Sequence, residues 1–241
     1  MNNIYSKLTL ILILVFGLKV STLFSQVTSQ EIDAIVERAM DNFTVAGVAV
    51  ALVKDGKIIH QKGYGIQSIN SKKKVNENTN FGIASNTKAF TTTALAILVE
   101  EGKISWTDKV IKHIPEFKMY NDYVTQNFNI QDLLTHRSGL GLGIGDLMFF
   151  PDGSDFTIND IISSFQYFKP VSAFRTKFDY DNLLYLVAGE VIARVSGLTW
   201  EKFIKERIFD PLAMDNSYAS LTYIKDKRNV ASPNLNKNKK L

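Results

Sequence analysis

Only one stretch of this chain alternates and turns as a β-hairpin must. Residues 46–53 are small and β-branched, Lys54-Asp55-Gly56-Lys57 supplies a turn, and residues 58–64 run back. Asp-Gly between two such runs favours the tight turn whose two central residues take positive φ. Two strands alone bury too little surface to stand in water, so this hairpin needs more sheet beside it. The chain that follows offers none: from Ser85 to about residue 215 the apolar spacing is helical. The order predicts an α+β fold, with a helical region at about 83–215 beside an antiparallel sheet of which only the N-terminal hairpin is present.

The helices can be placed by their stripes and punctuation. Ser29 is the expected cap of a helix over 30–43, where Ile32, Ile35, Val36, Ala39, Met40 and Phe43 make one apolar stripe destined for the core. Ala89, Phe90, Ala94, Leu95, Ile97 and Leu98 form another, stopped by Gly102. Shorter helices are expected at 108–114, 130–134, 158–168, 183–195 and 200–208, with Thr157 and Thr199 as N-caps and Gly197 and Pro211 as stops.

The length fits one domain or two small ones, and the resulting expectation is one domain over 26–241 behind a leader. Residues 1–25 read as a secretory signal: Lys7 gives a positive start, and 8–18 is an apolar run too short to span a bilayer comfortably. The mature protein is then expected in the periplasm or outside the cell, with no stable membrane anchor after cleavage. There are no cysteines, which excludes a disulfide framework and thiolate chemistry. His60, His113 and His136 are not at ligand spacing, so neither a metal site nor a cofactor is expected. Of the formal charge of +4, Lys7 and Lys19 contribute two and residues 225–241 a net five, leaving a body near −3. The basicity is terminal, and no nucleic-acid partner is expected.

Chemistry concentrates in two places. Ser85 and Lys88 stand three residues apart at the start of the second apolar stripe. A helix beginning at Ser85 would put both on one face, a turn apart. A serine hydroxyl needs a neighbour to take its proton, and a lysine in a dry, positively polarised place can do so. Ser-x-x-Lys also arises by chance, and Ser71-Lys72-Lys73-Lys74 repeats it in a polar run that reads as a solvated loop. Tyr180 and Asn182 bracket one residue just ahead of a helix. The phenol can relay a proton when ammonium groups lower its pKa, and the amide can donate and accept at once. A buried tyrosine beside an asparagine helix cap fits the same residues. Gly139, Gly141, Gly143 and Gly145 are not spaced as a dinucleotide fingerprint and lack a following Gly-Lys-Ser/Thr, which leaves a loop expected at the rim of a site.

Taken together, several segments resemble the serine β-lactamase-like superfamily, in its class C-type group of β-lactamases, related esterases and D-alanyl-D-alanine peptidases. They are the hairpin ending Gly63-Tyr64-Gly65, the Ser85-Asn86-Thr87-Lys88 stretch, Leu133-Leu-Thr-His-Arg-Ser-Gly-Leu140, Tyr180-Asp181-Asn182, and Ile208-Phe-Asp-Pro-Leu-Ala-Met214. The family pattern runs Ser-x-x-Lys, Ser-Asp-Asn, Lys-Thr-Gly, and tyrosine in the second motif points to the class C-like branch. The resemblance implies a β-lactamase/transpeptidase-like fold. It implies Ser85 as acylated nucleophile, Lys88 as its proton acceptor or electrostatic partner, Tyr180 as general base in acylation and activator of water in deacylation, and Asn182 as the substrate-binding amide that orients both the substrate carbonyl and Lys88. The Ser85 backbone N–H would be half of an oxyanion hole. Implied substrates are β-lactams, D-alanyl peptides of the cell wall or small esters.

The third motif is absent from these residues. The only Lys-x-Gly is Lys54-Asp55-Gly56, in the hairpin turn, and His136 is followed by Arg137 and Ser138. In the family that motif's strand supplies the second oxyanion donor, whose loss costs about 10²–10³ in rate. The chain is therefore expected to be the N-terminal part of such an enzyme, inactive or poorly folded by itself. The alternative is a non-catalytic protein that binds a cell-wall peptide or a partner chain.

Overall fold

The computed structural model describes residues 27–150 and 155–234. The leader read at 1–25 and the basic residues at 235–241 lie outside the described residues. The chain expected as one domain falls into two compact units. One comprises the described residues up to Thr79 together with those from Asn229, and the other is Asn80–Arg228.

The first unit holds α1 (Ser29–Phe43), β1 (Gly47–Lys54) and β2 (Lys57–Gly65). The strands pair antiparallel from Gly47 opposite Gly65 to Lys54 opposite Lys57, with a bulge at Leu52/Val53. Asp55 and Gly56 take φ of 50° and 72° in the turn, as the Asp-Gly signal requires. The expected cap of α1 is corrected: Thr28, not Ser29, caps it. Thr28 Oγ1 accepts from the Glu31 N–H while the Glu31 carboxylate accepts from the Thr28 N–H. Glutamate three residues on completes a capping box at Thr28, whereas Ser29 has Ile32 in that position.

Ser29 is used differently. Its hydroxyl meets His60 Nδ1 at 2.8 Å, His60 Nε2 meets the Tyr64 hydroxyl at 2.7 Å, and Tyr64 donates to Asp33 Oδ1 at 2.6 Å. Tyr64 spends its only proton on Asp33, so its hydroxyl accepts from His60 Nε2. Burial, then Asp33, pushes the Tyr64 phenol up to about 12. The apolar stripe of α1 is only partly core. Ile32 is buried, but Ile35 and Phe43 are exposed. Two strands are too narrow to cover a whole helix face. Asn229 closes the unit by accepting from Gln67 at 2.7 Å and Thr79 at 2.9 Å.

The second unit is helical, in order α2 (Thr87–Glu100), α3 (Val110–His113), α4 (Asp122–Asn127), α5 (Ile158–Ser164), α6 (Leu183–Ser196) and α7 (Trp200–Ile204). Thr91, Ala94, Leu95 and Leu98 of α2 form a buried stripe, as do Leu183, Leu184, Val187, Ala188, Val191 and Ile192 of α6. Both stripes follow the helical repeat, so the two helices bury one face each in a common core with Phe117, Phe128, Phe165 and Phe203. Trp200 Nε1 donates to Thr91 Oγ1 at 3.1 Å, tying α7 to α2. Thr157 and Thr199 cap α5 and α7, and Gly197 ends α6 at φ 73°.

Several expected helices are shorter than their apolar runs. Residues 130–134 give only the 3-10 turn Gln131–Leu133, the run at 158–168 continues after Ser164 as a 3-10 turn, and that at 200–208 becomes a π-helix at Lys205–Phe209. Phe165 and Phe209 are buried within the segments that leave regular α-helical geometry. Among the described residues no single helix is long and apolar enough to cross a membrane.

Candidate active site

Ser85, Lys88, Tyr180 and Asn182 all meet in the second unit. The expected α-helix from Ser85 is corrected: Ser85 sits in the 3-10 turn Ala84–Asn86, and α2 begins at Thr87. Three residues per turn eclipse positions i and i+3. Lys88 Nζ accordingly donates to Ser85 Oγ at 3.2 Å. Ala84, just before the serine, holds φ of 44°, a costly conformation for a residue with a Cβ. Ser85 itself is exposed. The second Ser-x-x-Lys pair is not part of the site: Ser71 and Lys74 are exposed in the first unit.

From the opposite side the Tyr180 hydroxyl donates to Ser85 Oγ at 2.7 Å. Lys88 is held by Asn182 Oδ1 at 2.8 Å, and its ammonium lies 4.9 Å and 5.2 Å from the ring centres of Tyr180 and Tyr185. Facing two π clouds and an amide oxygen, the cation is fixed in direction as well as place. Lys88, then the Ser85 hydrogen bond, holds the Tyr180 phenol below its ordinary value near 10, against burial and the Asp146 carboxylate.

Asn182 does not cap α6. It makes no capping bond, and its Nδ2 donates to both oxygens of Asp146 at 3.2 Å. The cap is Asp181, whose Oδ1 accepts from the Leu184 N–H at 3.1 Å. Asp181 is 1% exposed, and its Oδ2 has no hydrogen-bond partner among the described residues. Burial pushes its carboxyl up to about 7, with Asp146 adding to the rise.

Asp146, Asp181 and His136 are site residues that the motifs did not single out. Asp146 follows directly on the glycine-rich loop, so that loop does border the site. Gly145 takes φ of 70°, and a Cβ there would lie 2.4 Å from Leu183 Cδ2. The glycine lets the loop close onto α6 and so brings Asp146 to Asn182. His136 is buried against the rings of Tyr180, Tyr185 and Phe178. Burial and the Lys88 charge hold its pKa below the usual histidine value. Two of them lie inside the family motifs without a role assigned to them, His136 in Leu133–Leu140 and Asp181 between Tyr180 and Asn182, whereas Asp146 left no trace beyond its place after the glycine-rich loop. Among the described residues no group of three or more histidine, aspartate or glutamate side chains is placed to hold a metal.

The arrangement can move a proton. Ser85 Oγ accepts from both Lys88 and Tyr180 while those groups keep their protons. Loss of one proton from the Lys88–Tyr180 pair turns phenolate or amine into an acceptor for the Ser85 proton, with the other left to stabilise charge.

The chain belongs to the beta-lactamase family, whose model matches residues 32–241. This is the superfamily of serine hydrolases with a β-lactamase/transpeptidase-like fold. One curated relative is Protein flp of Staphylococcus aureus strain MW2, 30% identical over 207 residues that cover 84% of this chain and 41% of that protein. Another is Unguisins hydrolase ungD' of Aspergillus campestris strain IBT 28561, 32% identical over 202 residues that cover 80% of this chain and 36% of that protein. Among solved structures, the octameric penicillin-binding protein homologue from Pyrococcus abyssi superposes with a TM-score of 0.73 at 27% identity, over 87% of this chain and 48% of that one. This chain spans less than half the length of each of these proteins.

Proposed function

We propose that this chain carries the nucleophile of a serine hydrolase that works through an acyl-Ser85 intermediate. The observation that carries the reading is the placing of Ser85 Oγ 2.7 Å from the Tyr180 hydroxyl and 3.2 Å from Lys88 Nζ, with Lys88 anchored on Asn182. Ser85 Oγ attacks a carbonyl carbon and its proton passes to the Lys88–Tyr180 pair. That proton goes on to the leaving group as the carbonyl–heteroatom bond breaks. Water then attacks the acyl ester, gives a proton to the same pair, and restores Ser85. The Asn182 amide, whose Nδ2 faces Asp146 in this structure, is the group that would orient the substrate carbonyl.

The substrate is a β-lactam, a D-alanyl peptide of the cell wall or a small ester. The similarity to a penicillin-binding protein homologue and to a hydrolase supports this range without choosing within it. No cofactor or nucleic acid enters the reading. The leader-like N-terminus supports a periplasmic or secreted site of action without a stable membrane anchor.

The test is labelling of the folded chain with a fluorophosphonate probe, read by intact mass beside Ser85→Ala. A single adduct that disappears in Ser85→Ala is the expected result. No adduct in a sample shown to be folded by circular dichroism overturns the proposal and leaves the readings of an inactive fragment or a binding protein.

A further inference from the structure

We propose that His136 is the positioning residue that aims the Tyr180 hydroxyl at Ser85. The inference rests on the acyl-Ser85 reading but concerns a residue which that chemistry does not touch. His136 holds three successive residues of the tyrosine segment in three different ways. Its carbonyl accepts from the Asp179 N–H at 2.7 Å. Its ring Nδ1 accepts from the Asp181 N–H at 3.1 Å. Between them, its ring stacks on Tyr180, with centroids 4.3 Å apart and planes inclined by 26°.

The contacts define the protonation state. A ring nitrogen that accepts an amide proton carries none itself, so His136 is neutral with its proton on Nε2. A second proton would set a ring N–H against the Asp181 N–H. The residue also keeps φ of 54°, outside the region that side chains with a Cβ prefer. Strain of this kind persists only where surrounding contacts hold it. Here they do: the Val171 N–H donates to the Gly139 carbonyl at 2.8 Å and the Arg175 N–H to the Arg137 carbonyl at 2.7 Å. His136 thus stands at the end of a short irregular ladder between residues 136–139 and 171–181. Tyr180 lies beyond its last rung, and the His136 ring decides where the phenol points.

His136→Asn separates the parts. Asparagine tolerates positive φ, and its amide oxygen can take over from Nδ1, but it has no ring to stack. His136→Gln also removes the ring while keeping an amide oxygen, and serves as second variant where the first fails to fold. The expected result is a fall of about 10–10²-fold in the rate of Ser85 labelling with probe affinity unchanged, the size that displacement of a catalytic group by roughly 1 Å produces. In a Tyr180→Phe background the same substitution should cost no further rate, because His136 acts only through Tyr180. Rates within twofold of wild type, or a full additional loss in the Tyr180→Phe background, would overturn the proposal. NMR of tyrosine-labelled protein decides the matter independently of labelling. In His136→Asn the Tyr180 ring protons should lose their NOE contacts to the Lys88 side chain, whose Nζ lies 4.9 Å from the ring centre in the wild type, and persistence of those contacts would refute the positioning role. An unlabelled but folded wild type would instead sink the hydrolase reading, leaving the NMR result to judge this one.

Discussion

Replacing Asp181 by asparagine should make the protein more stable at neutral and alkaline pH, although it removes a charge from a helix N-terminus. Asp181 caps α6 through Oδ1, and a carboxylate beside the positive end of a helix normally gains about 0.3–1 kcal/mol. Burial opposes it. The side chain is 1% exposed, its Oδ2 has no partner among the described residues, and Asp146 lies close enough to add repulsion. The result is a carboxyl pushed up from its ordinary value near 3.8 to about 7. At about 1.4 kcal/mol per pH unit, the ionised form costs roughly 4 kcal/mol in place, several times the helix gain. The sign follows from proton counting. Below pH 3.8 both states hold the proton and nothing is lost. Between there and about 7 the folded state keeps a proton that the unfolded chain releases, so stability falls as pH rises, and above 7 the loss is constant. Asparagine keeps an oxygen for the Leu184 N–H and cannot ionise. Urea unfolding of wild type and Asp181→Asn at a series of pH values from 4 to 8.5 checks this. The stability difference should grow in favour of the variant by about 3–4 kcal/mol across that window and then level off. Other titrating groups, His136 among them, are common to both proteins and cancel in the difference. Parallel curves would refute the reasoning, because they would mean that the Asp181 carboxylate is solvated or paired in the folded state.

Tyr180→Phe should slow Ser85 acylation by about 10²-fold or more while the ring still stacks on His136. Wild-type labelling should rise with pH through a phenol pKa below 10, since the base must first lose its proton, and the variant should lack that limb. Arg175→Ala should destabilise by about 1–2 kcal/mol, because the half-exposed Arg175 guanidinium grips both oxygens of the buried Asp132 and its loss leaves that carboxylate with the Asn129 N–H. Denaturant titration measures this, and Arg175→Ala made together with Asp132→Asn should recover part of the loss. Gly139→Ala should lower the melting temperature more than Gly143→Ala. Both glycines have positive φ, but a Cβ at 139 would lie 2.5 Å from the Ser172 carbonyl oxygen, whereas one at 143 meets nothing within 4 Å. Equal shifts would show that backbone conformation alone matters there.

Much of the fold was legible along the chain. The Asp55-Gly56 turn, the stripes of α2 and α6, the caps Thr157 and Thr199 and the stop at Gly197 are local features, carried by residues within a turn or two of one another. The misplaced cap at Ser29 was also a local matter, since the glutamate that completes the capping box at Thr28 stands in the same turn. The helices that came out short failed for another reason. An apolar run records that a segment is buried, but not whether its last turn, as at Phe165 or Phe209, stays α-helical.

The candidate site divides along the same line. Sequence by itself determined which residues have the chemistry: a serine and a lysine three apart, and a tyrosine and an asparagine ahead of an apolar helix. Only the tertiary structure decided how closely these four converge, that Asp181 and not Asn182 caps the helix, and that Asp146 and His136 belong with them. Spacing within one helical turn is written in the chain because 3-10 and α geometry repeat. The approach of His136 to Tyr180, or of Asp146 to Asn182, depends on how glycine-hinged loops close over a shared core. No local period encodes that closure.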